Sequence, residues 1–447
     1  MRFESASCAI VGLGPAGAGF LFNAVKNGEF ERLAANGLII LDGGRCVGQG
    51  RLGEYQVSAN SVNDVFLNCL ADPAFSTVLA PLHDVPAYQR MRENPQGVSM
   101  LPEVAAVLGA ATELLVAHIE HVHGVIVRRG NWLESIAEKE GHFDLLVRAP
   151  NGSRYTVRAA SIVMNIGGIQ MPRLLLDALQ NMNLATPQEG ERLLTSDRVL
   201  SEPVPALRTH FRELMHSSHS LVVVGGSHSA FSVVERLAVE LESEGLEEIV
   251  LLHRSPIKLF FETRAEAQRA GYVFDEERDV CPVSGRINRS GGLRYRAFEI
   301  GCGVLNEGVV PGTRVRVRTL HVGAGDGKVQ AEAQHCLEAC AGVIQCIGYQ
   351  AWLPELLDGN GSPIVLREVQ GGLDSDAAGC PYDIHGRHIE GLHLFGLGSG
   401  LAVDPEIGSE ASFLGRIYGI WQFHHDASRP ALKRVLAKAV EATAAMA

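Results

Sequence analysis

The sequence has no surplus of positive charge. Lys and Arg number 39 against 51 Asp and Glu, a formal net charge of −12. A general nucleic-acid binder needs the opposite balance to displace counterions, so no nucleic-acid partner is expected. No run of 18 apolar residues is evident, and Met1-Arg2-Phe3-Glu4 leads straight into a strand pattern without an apolar leader. The expectation is a cytoplasmic protein with no membrane partner. No C-x-x-C pair occurs. The nine cysteines are odd in number and scattered, which reads as free thiols in a reducing compartment. Cys336 and Cys340 are four apart but have no second ligand pair near them, so no metal is expected. No Ser/Pro-rich or like-charge linker divides the chain.

Glycine, by contrast, is plentiful: 49 of 447 residues, with no G-X-Y period. In a globular chain such an excess marks places where backbone turns with positive φ or closely approaches something. Residues 8–14 read as a buried strand entering a glycine turn, 15–27 as a helix and 37–42 as a second strand, a β-α-β unit. Ser61-Val-Asn-Asp64 reads as a capping box opening a short helix. A long helix is expected from Leu101 to about Val122. Alternating runs at 125–129, 142–148 and 153–158 follow, then a buried strand at 161–168. The pattern restarts with a strand at 220–226, a helix at 229–244 and a strand at 248–253. Residues 280–303 read as irregular. Strands at 343–349 and 392–400 and helices from about Ser409 and from Pro430 complete the chain. The fold class expected is α/β, with two Rossmann-like dinucleotide-binding domains and the second inserted into the first. The boundaries are 1–205 and 331–447 for the first domain and 206–330 for the second.

Gly12-Leu-Gly14-Pro15-Ala16-Gly17 follows a strand and opens a helix, and Asp42 ends the next strand. Gly12 makes the tight turn, Gly14 admits a pyrophosphate, and Gly17 lets helix pack on strand. Pro15 has no N–H to leave unpaired at a helix start. The helix N-terminus favours phosphate, and an acid at Asp42 suits ribose hydroxyls. Gly225-Gly226-Ser227-His228-Ser229-Ala230 is a degenerate version of the same turn. The strand after it ends at His253-Arg254 with no acid at its tip; an arginine there can pair with a 2′-phosphate, favouring NADPH over NADH. FAD with a nicotinamide is the natural pair for two such domains.

On these residues the chain resembles the two-dinucleotide-binding-domain flavoproteins. Gly12–Gly17 with Asp42 matches their FAD site. Asn165-Ile-Gly167-Gly168 stands where they carry Ala-Thr-Gly, and Gly396-Leu-Gly398-Ser399 where they carry a flavin-proximal Gly-Asp. Within that group it resembles the flavin-containing and N-hydroxylating (class B) monooxygenases. Val343–Tyr349 followed by Leu353–Leu357 is similar to their Ala-Thr-Gly-Tyr segment, Gly225–Ala230 to their NADPH turn, and Tyr55–Asn60 to a region that puts a polar residue beside the flavin. The Phe-x-Gly-x₃-His fingerprint of the flavin-containing and Baeyer–Villiger enzymes is absent. The resemblance implies FAD and NADPH as cofactors, and a small-molecule substrate and O₂ as partners. It implies oxygen transfer through a flavin C4a-hydroperoxide to an amine, a sulfide or a ketone. Asn60 is the candidate hydrogen-bond donor at the flavin, with a turn residue before the Ser61 helix as the other reading. An NAD(P)H-dependent flavin dehydrogenase and a nucleotide-holding regulatory protein are the competing functions. A homodimer is left open.

Other constellations read as structural. His118, His121 and His123 lack a carboxylate or cysteine to complete a metal set. His424 and His425 sit near an expected helix end. Phe413, Tyr418, Trp421 and Phe423 have roughly helical spacing and are expected in a core or a dimer face, with one member able to line the pocket. Glu406 is a candidate pocket carboxylate.

Overall fold

The computed structural model describes residues 2–165, 167–185, 190, 192–370, 372–416 and 427–446. The strands of the two large sheets are β1 Arg2–Val11, β2 Leu38–Asp42, β3 Val127–Arg129, β4 Trp132–Lys139, β5 His142–Arg148, β6 Arg154–Met164, β7 Leu193–Thr195, β8 Ser220–Val224, β9 Glu248–His253, β10 Arg316–His321, β11 Gly342–Gln345, β12 Glu355–Leu357 and β13 Leu392–Leu394. The helices that position the site are α1 Pro15–Lys26, α2 Leu101–His123, α3 Ser196–Ser201, α4 His228–Leu241, α5 Tyr295–Glu307 and α6 Arg429–Met446.

The first sheet has eight strands in the order β12-β4-β5-β6-β1-β2-β3, with β13 also on β6. β1 is parallel to both β2 and β6. Successive side chains of a strand point to opposite faces, and β1 uses both. Cys8 and Ile10 enter the core shared with α1, α2 and α6, while Ala9 and Val11 join that of β4 and β5. A strand covered on both sides must be apolar throughout, which explains the unbroken Cys-Ala-Ile-Val run.

The alternating run at 153–158 and the buried strand at 161–168 are one element. β6 is long enough to pair β5 through residues 154–159 and β13 through residues 162–164. β4 has no counterpart in the sequence reading. Helix Asn63–Asn68 is capped by Val62 and not by a Ser61 box. Residues 295–303, expected to be irregular, belong to α5. Residues 409–416 are turns and coil rather than the start of a helix. α2 is long and apolar enough, by length and composition, to cross a membrane, although charged and polar residues interrupt it. Its Val104, Leu108, Leu115 and Ile119 are buried in the core beside α1.

The second sheet is all parallel, in the order β10-β9-β8-β11-β7. Leu221 and Val223 pack on α4, whereas Val222 and Val224 pack on helix Gly327–Ala339. All five strands fall between β6 and β13 of the first sheet. The fold is therefore a Rossmann-like α/β domain interrupted by a second one.

Candidate active site between two dinucleotide turns

After β1, Gly12 at φ 85° turns the chain into α1. A Cβ on Gly17 would lie 2.1 Å from the Gly12 carbonyl oxygen, so only glycine lets the helix seat on the turn. Gly14, the N-cap, brings no side chain to the free N–H groups, which leaves them for an anion. Asp42 braces the same turn. Its Oδ2 accepts the Leu13 N–H at 2.5 Å and its Oδ1 the Gly44 N–H at 2.7 Å. Burial raises the Asp42 carboxyl above its usual range, opposed by those two N–H groups and by the Arg129 charge. A carboxylate has about four acceptor sites, so Asp42 keeps capacity for hydroxyl groups of a ligand.

The second turn is built in the same way. Gly225 has φ 142°, and a Cβ there would stand 2.2 Å from the Cys346 carbonyl oxygen. Ser227 precedes α4 without capping it. His228, the first residue of that helix, accepts the Arg294 N–H on Nε2 at 3.2 Å. Burial, with the Arg294 charge second, pushes its imidazole down to about 4. It is neutral at pH 7, and because Nε2 accepts, Nδ1 carries the proton.

A cavity of about 1580 Å³ opens between the two turns. It gathers Gly12, Gly14, Pro15, Ala16, Asp42, Asn60, Gly167, His228 and Ser229 from the residues expected at the site. Gly17, Gly225, Gly226, Ser227, Arg254, Gly398 and Ser399 are not on its wall. Gly17 and Gly225 shape the turns from behind. Arg254 is exposed at the tip of β9. Gly398 packs against backbone, with a Cβ position 2.1 Å from the Ala351 nitrogen; Gly396 and Gly400 border the cavity instead. Phe413 is on the wall and Glu406 is not. Tyr418, Trp421, Phe423, His424 and His425 lie outside the described residues. His118, His121 and His123 end α2 and form no metal-type group. Among the described residues that grouping is Asp376, Cys380 and His388, and Arg434 together with the Ala378 and Cys380 N–H groups takes up the Asp376 carboxylate.

The cavity suits a dinucleotide. Asn165 on its wall donates from Nδ2 to the Val163 carbonyl at 3.2 Å, while its buried Oδ1 has no partner. Such an atom costs free energy until a ligand or water bonds it.

Two groups at the site were missed from the sequence. Asp197 of α3 accepts the Tyr55 hydroxyl at 2.9 Å and the Arg51 guanidinium at 2.8 Å, and also the Tyr349 hydroxyl. Burial raises both phenols, and the Asp197 charge adds to it. Gln170 holds the Asp197 N–H at 3.0 Å. Glu410, 2% exposed, accepts the Ser290 and Gly291 N–H groups at 3.0 and 2.8 Å. Neither set has a sequence signature, because its members come from segments far apart in the chain.

No protein-family model matches the chain. The CMP-5′-(3-aminopropyl)phosphonate hydroxylase of Streptomyces rubellomurinus (strain ATCC 31215) is 31% identical over 441 residues, covering 96% of this chain and 97% of that protein. The chain belongs to the flavin-dependent N-hydroxylating monooxygenases. Solved structures agree on the fold. The ornithine N-hydroxylase KtzI of Kutzneria sp. 744 superposes with a TM-score of 0.54 at 13% identity, covering 96% of this chain and 99% of that one. The ornithine hydroxylase PvdA of Pseudomonas aeruginosa gives 0.53 at 14% identity, covering 96% and 100%. The KtzI structure holds reduced FAD, NADP⁺ and L-ornithine. Bound FAD supplies the hydride-accepting and oxygen-activating chemistry. The N-terminal residues of α1 (Pro15, Ala16) and of α4 (His228, Ser229) border the same cavity.

Proposed function

We propose that this monooxygenase hydroxylates the nitrogen of a primary amine carried on a phosphonate; its 31%-identical relative is a CMP-5′-(3-aminopropyl)phosphonate hydroxylase. The observation that carries the reading is the single cavity bordered by both dinucleotide turns. Gly12, Gly14, Pro15, Ala16, Gly17, Asp42 and Gly167 hold FAD, and Gly396 and Gly400 border the flavin side. Gly225, Gly226, Ser227, His228, Ser229 and Arg254 hold NADPH, Arg254 from the exposed strand tip. The amine occupies the remaining space near Asn60 and Phe413.

The residues' tasks are to bind, to orient and to keep water from the reacting centre. The neutral His228 offers an N–H from the start of α4. Asn60 is the hydrogen-bonding side chain offered on the opposite wall. A cytoplasmic location belongs to this reading, and nine free cysteines support it. The test is product analysis. Purified enzyme, NADPH and O₂ with 3-aminopropylphosphonate or its CMP ester are expected to give the hydroxylamine, one oxygen atom heavier. NADPH consumption that no amine accelerates, with no oxygenated product, would overturn the reading.

A further inference from the structure

One wall of the cavity carries more cationic charge than the nucleotide turns account for. Arg286, Arg289 and Arg294 from the segment leading into α5, and Arg296 from its first turn, line the cavity. Two of them are neutralised locally. Arg286 pairs with Glu262 at 2.7 Å, and Arg296 with Glu235 at 2.6 Å and Glu299 at 2.7 Å. Arg289 donates to the Gly408 carbonyl at 3.2 Å and to that of Ile407, with no carboxylate partner among the described residues. Arg294 stands apart. Its guanidinium lies over the Phe260 ring at 5.1 Å. The guanidinium makes no hydrogen bond or ion pair to any described residue, and its buried Nε is unpartnered.

A half-buried guanidinium without an acceptor is costly. Its planar fork matches phosphate and phosphonate oxygens in pairs. The Phe260 ring holds the guanidinium by a cation–π contact, and the main-chain bond to His228 ties its backbone to the start of α4. Arg289 adds a second positive charge close to it, and the buried Glu410 carboxylate offsets part of the two through charge alone. We propose that Arg294, backed by Arg289, is the anchor for a phosphonate or phosphate oxyanion on the amine substrate. Its position sets a preference for anionic aminoalkyl compounds over plain amines. The inference rests on the amine-hydroxylase reading and names the group that site recognises. The same oxyanion chemistry is present in NADPH, so the experiment separates the two sources.

Binding is measured on the oxidised, FAD-loaded enzyme by calorimetry, without NADPH or O₂. The probes are 3-aminopropylphosphonate, propylamine and NADP⁺. The wild type is expected to bind the aminophosphonate far more tightly than propylamine. Arg294→Gln is expected to weaken the aminophosphonate by roughly 10- to 100-fold, the loss of a charge-assisted bidentate contact, and to leave NADP⁺ within about 3-fold. Arg294→Lys is expected to recover part of the loss, because it keeps the charge without the fork. Unchanged aminophosphonate affinity in Arg294→Gln overturns the assignment. So does a loss confined to NADP⁺, which would give the charge to the coenzyme. If the variants do not load FAD, competition in the wild type decides: methylphosphonate displacing 3-aminopropylphosphonate supports the anchor, and failure to displace it overturns it. A wild type that binds the aminophosphonate but forms no hydroxylamine would sink the hydroxylase reading and leave the anchor standing.

Discussion

The Tyr55 hydroxyl donates to Asp197 Oδ1 at 2.9 Å across 142 residues of sequence. Tyr55 belongs to the segment after β2, and Asp197 to the helix that follows the first strand of the inserted domain. Tyr349, after the last strand of that domain, reaches the same oxygen. One buried carboxylate therefore joins the two nucleotide domains beside the cavity. Asp197→Ala would leave two phenols without their acceptor and Arg51 with Glu54 as its remaining partner. An unsatisfied buried group costs about 1–3 kcal/mol, so a loss of roughly 3 kcal/mol is expected in denaturant unfolding. Tyr349→Phe is expected to lose only about 1 kcal/mol. Equal, near-zero effects would show that the link carries no stability.

The two glycine turns can be broken separately. Gly17→Ala places a methyl 2.1 Å from the Gly12 carbonyl oxygen, and Gly225→Ala places one 2.2 Å from that of Cys346. Neither clash can relax through a flexible side chain. Gly17→Ala is expected to yield protein with little bound flavin. Gly225→Ala is expected to keep its flavin and to be reduced by NADPH only at much higher coenzyme concentration. Flavin content by absorbance and stopped-flow reduction check the pair; loss of both functions in both variants would contradict separate turns.

Arg254 is exposed at the tip of β9. Its pairing with the 2′-phosphate is expected to show as a KM effect. Arg254→Ala should raise the NADPH KM by roughly 10-fold, from a charged hydrogen bond of about 1.5–3 kcal/mol, and leave the NADH KM alone. An unchanged ratio of NADPH to NADH use would remove Arg254 from the site.

Acid sensitivity follows from two histidines. His393 is 1% exposed; its Nδ1 meets the Ala378 carbonyl at 2.8 Å and its Nε2 is buried without a partner. Burial pushes it down to about 4, as it does His228. The unfolded chain takes up these protons near the ordinary histidine value of about 6.5, where the folded state does not. Stability from both groups is thus fully present above about 6.5 and is lost as pH falls toward about 4. Denaturation midpoints measured across that window should fall with pH. His393→Gln should flatten the slope; a slope unaltered by it would assign the acid sensitivity elsewhere.

The parts of the site legible in sequence are those made of contiguous residues. Gly12 to Gly17 and Asp42 announce themselves because one short β-α-β unit contains every part of the turn. β9 was read to the residue for a similar reason, as a short apolar strand between a helix end and His253-Arg254. β6 was split in two because its first half alternates beside the hairpin turn, whereas its second half is buried on both faces. The Ser61 helix start shows a local pattern losing to tertiary contacts, since the Asn63 N–H goes to the Gly97 carbonyl instead. Asp197, Glu410 and Arg294 were not legible, because their roles depend on partners or on the lack of one across the fold. Arg294 sits in the 280–303 stretch that reads as irregular in sequence.

The most direct measurement is the stoichiometry of one aerobic reaction. Enzyme, NADPH, O₂ and 3-aminopropylphosphonate or its CMP ester should give close to one hydroxylamine per NADPH consumed, with NADPH oxidation accelerated by the amine. Peroxide equal to the NADPH consumed, at a rate the amine does not change and with no oxygenated product, would contradict the account.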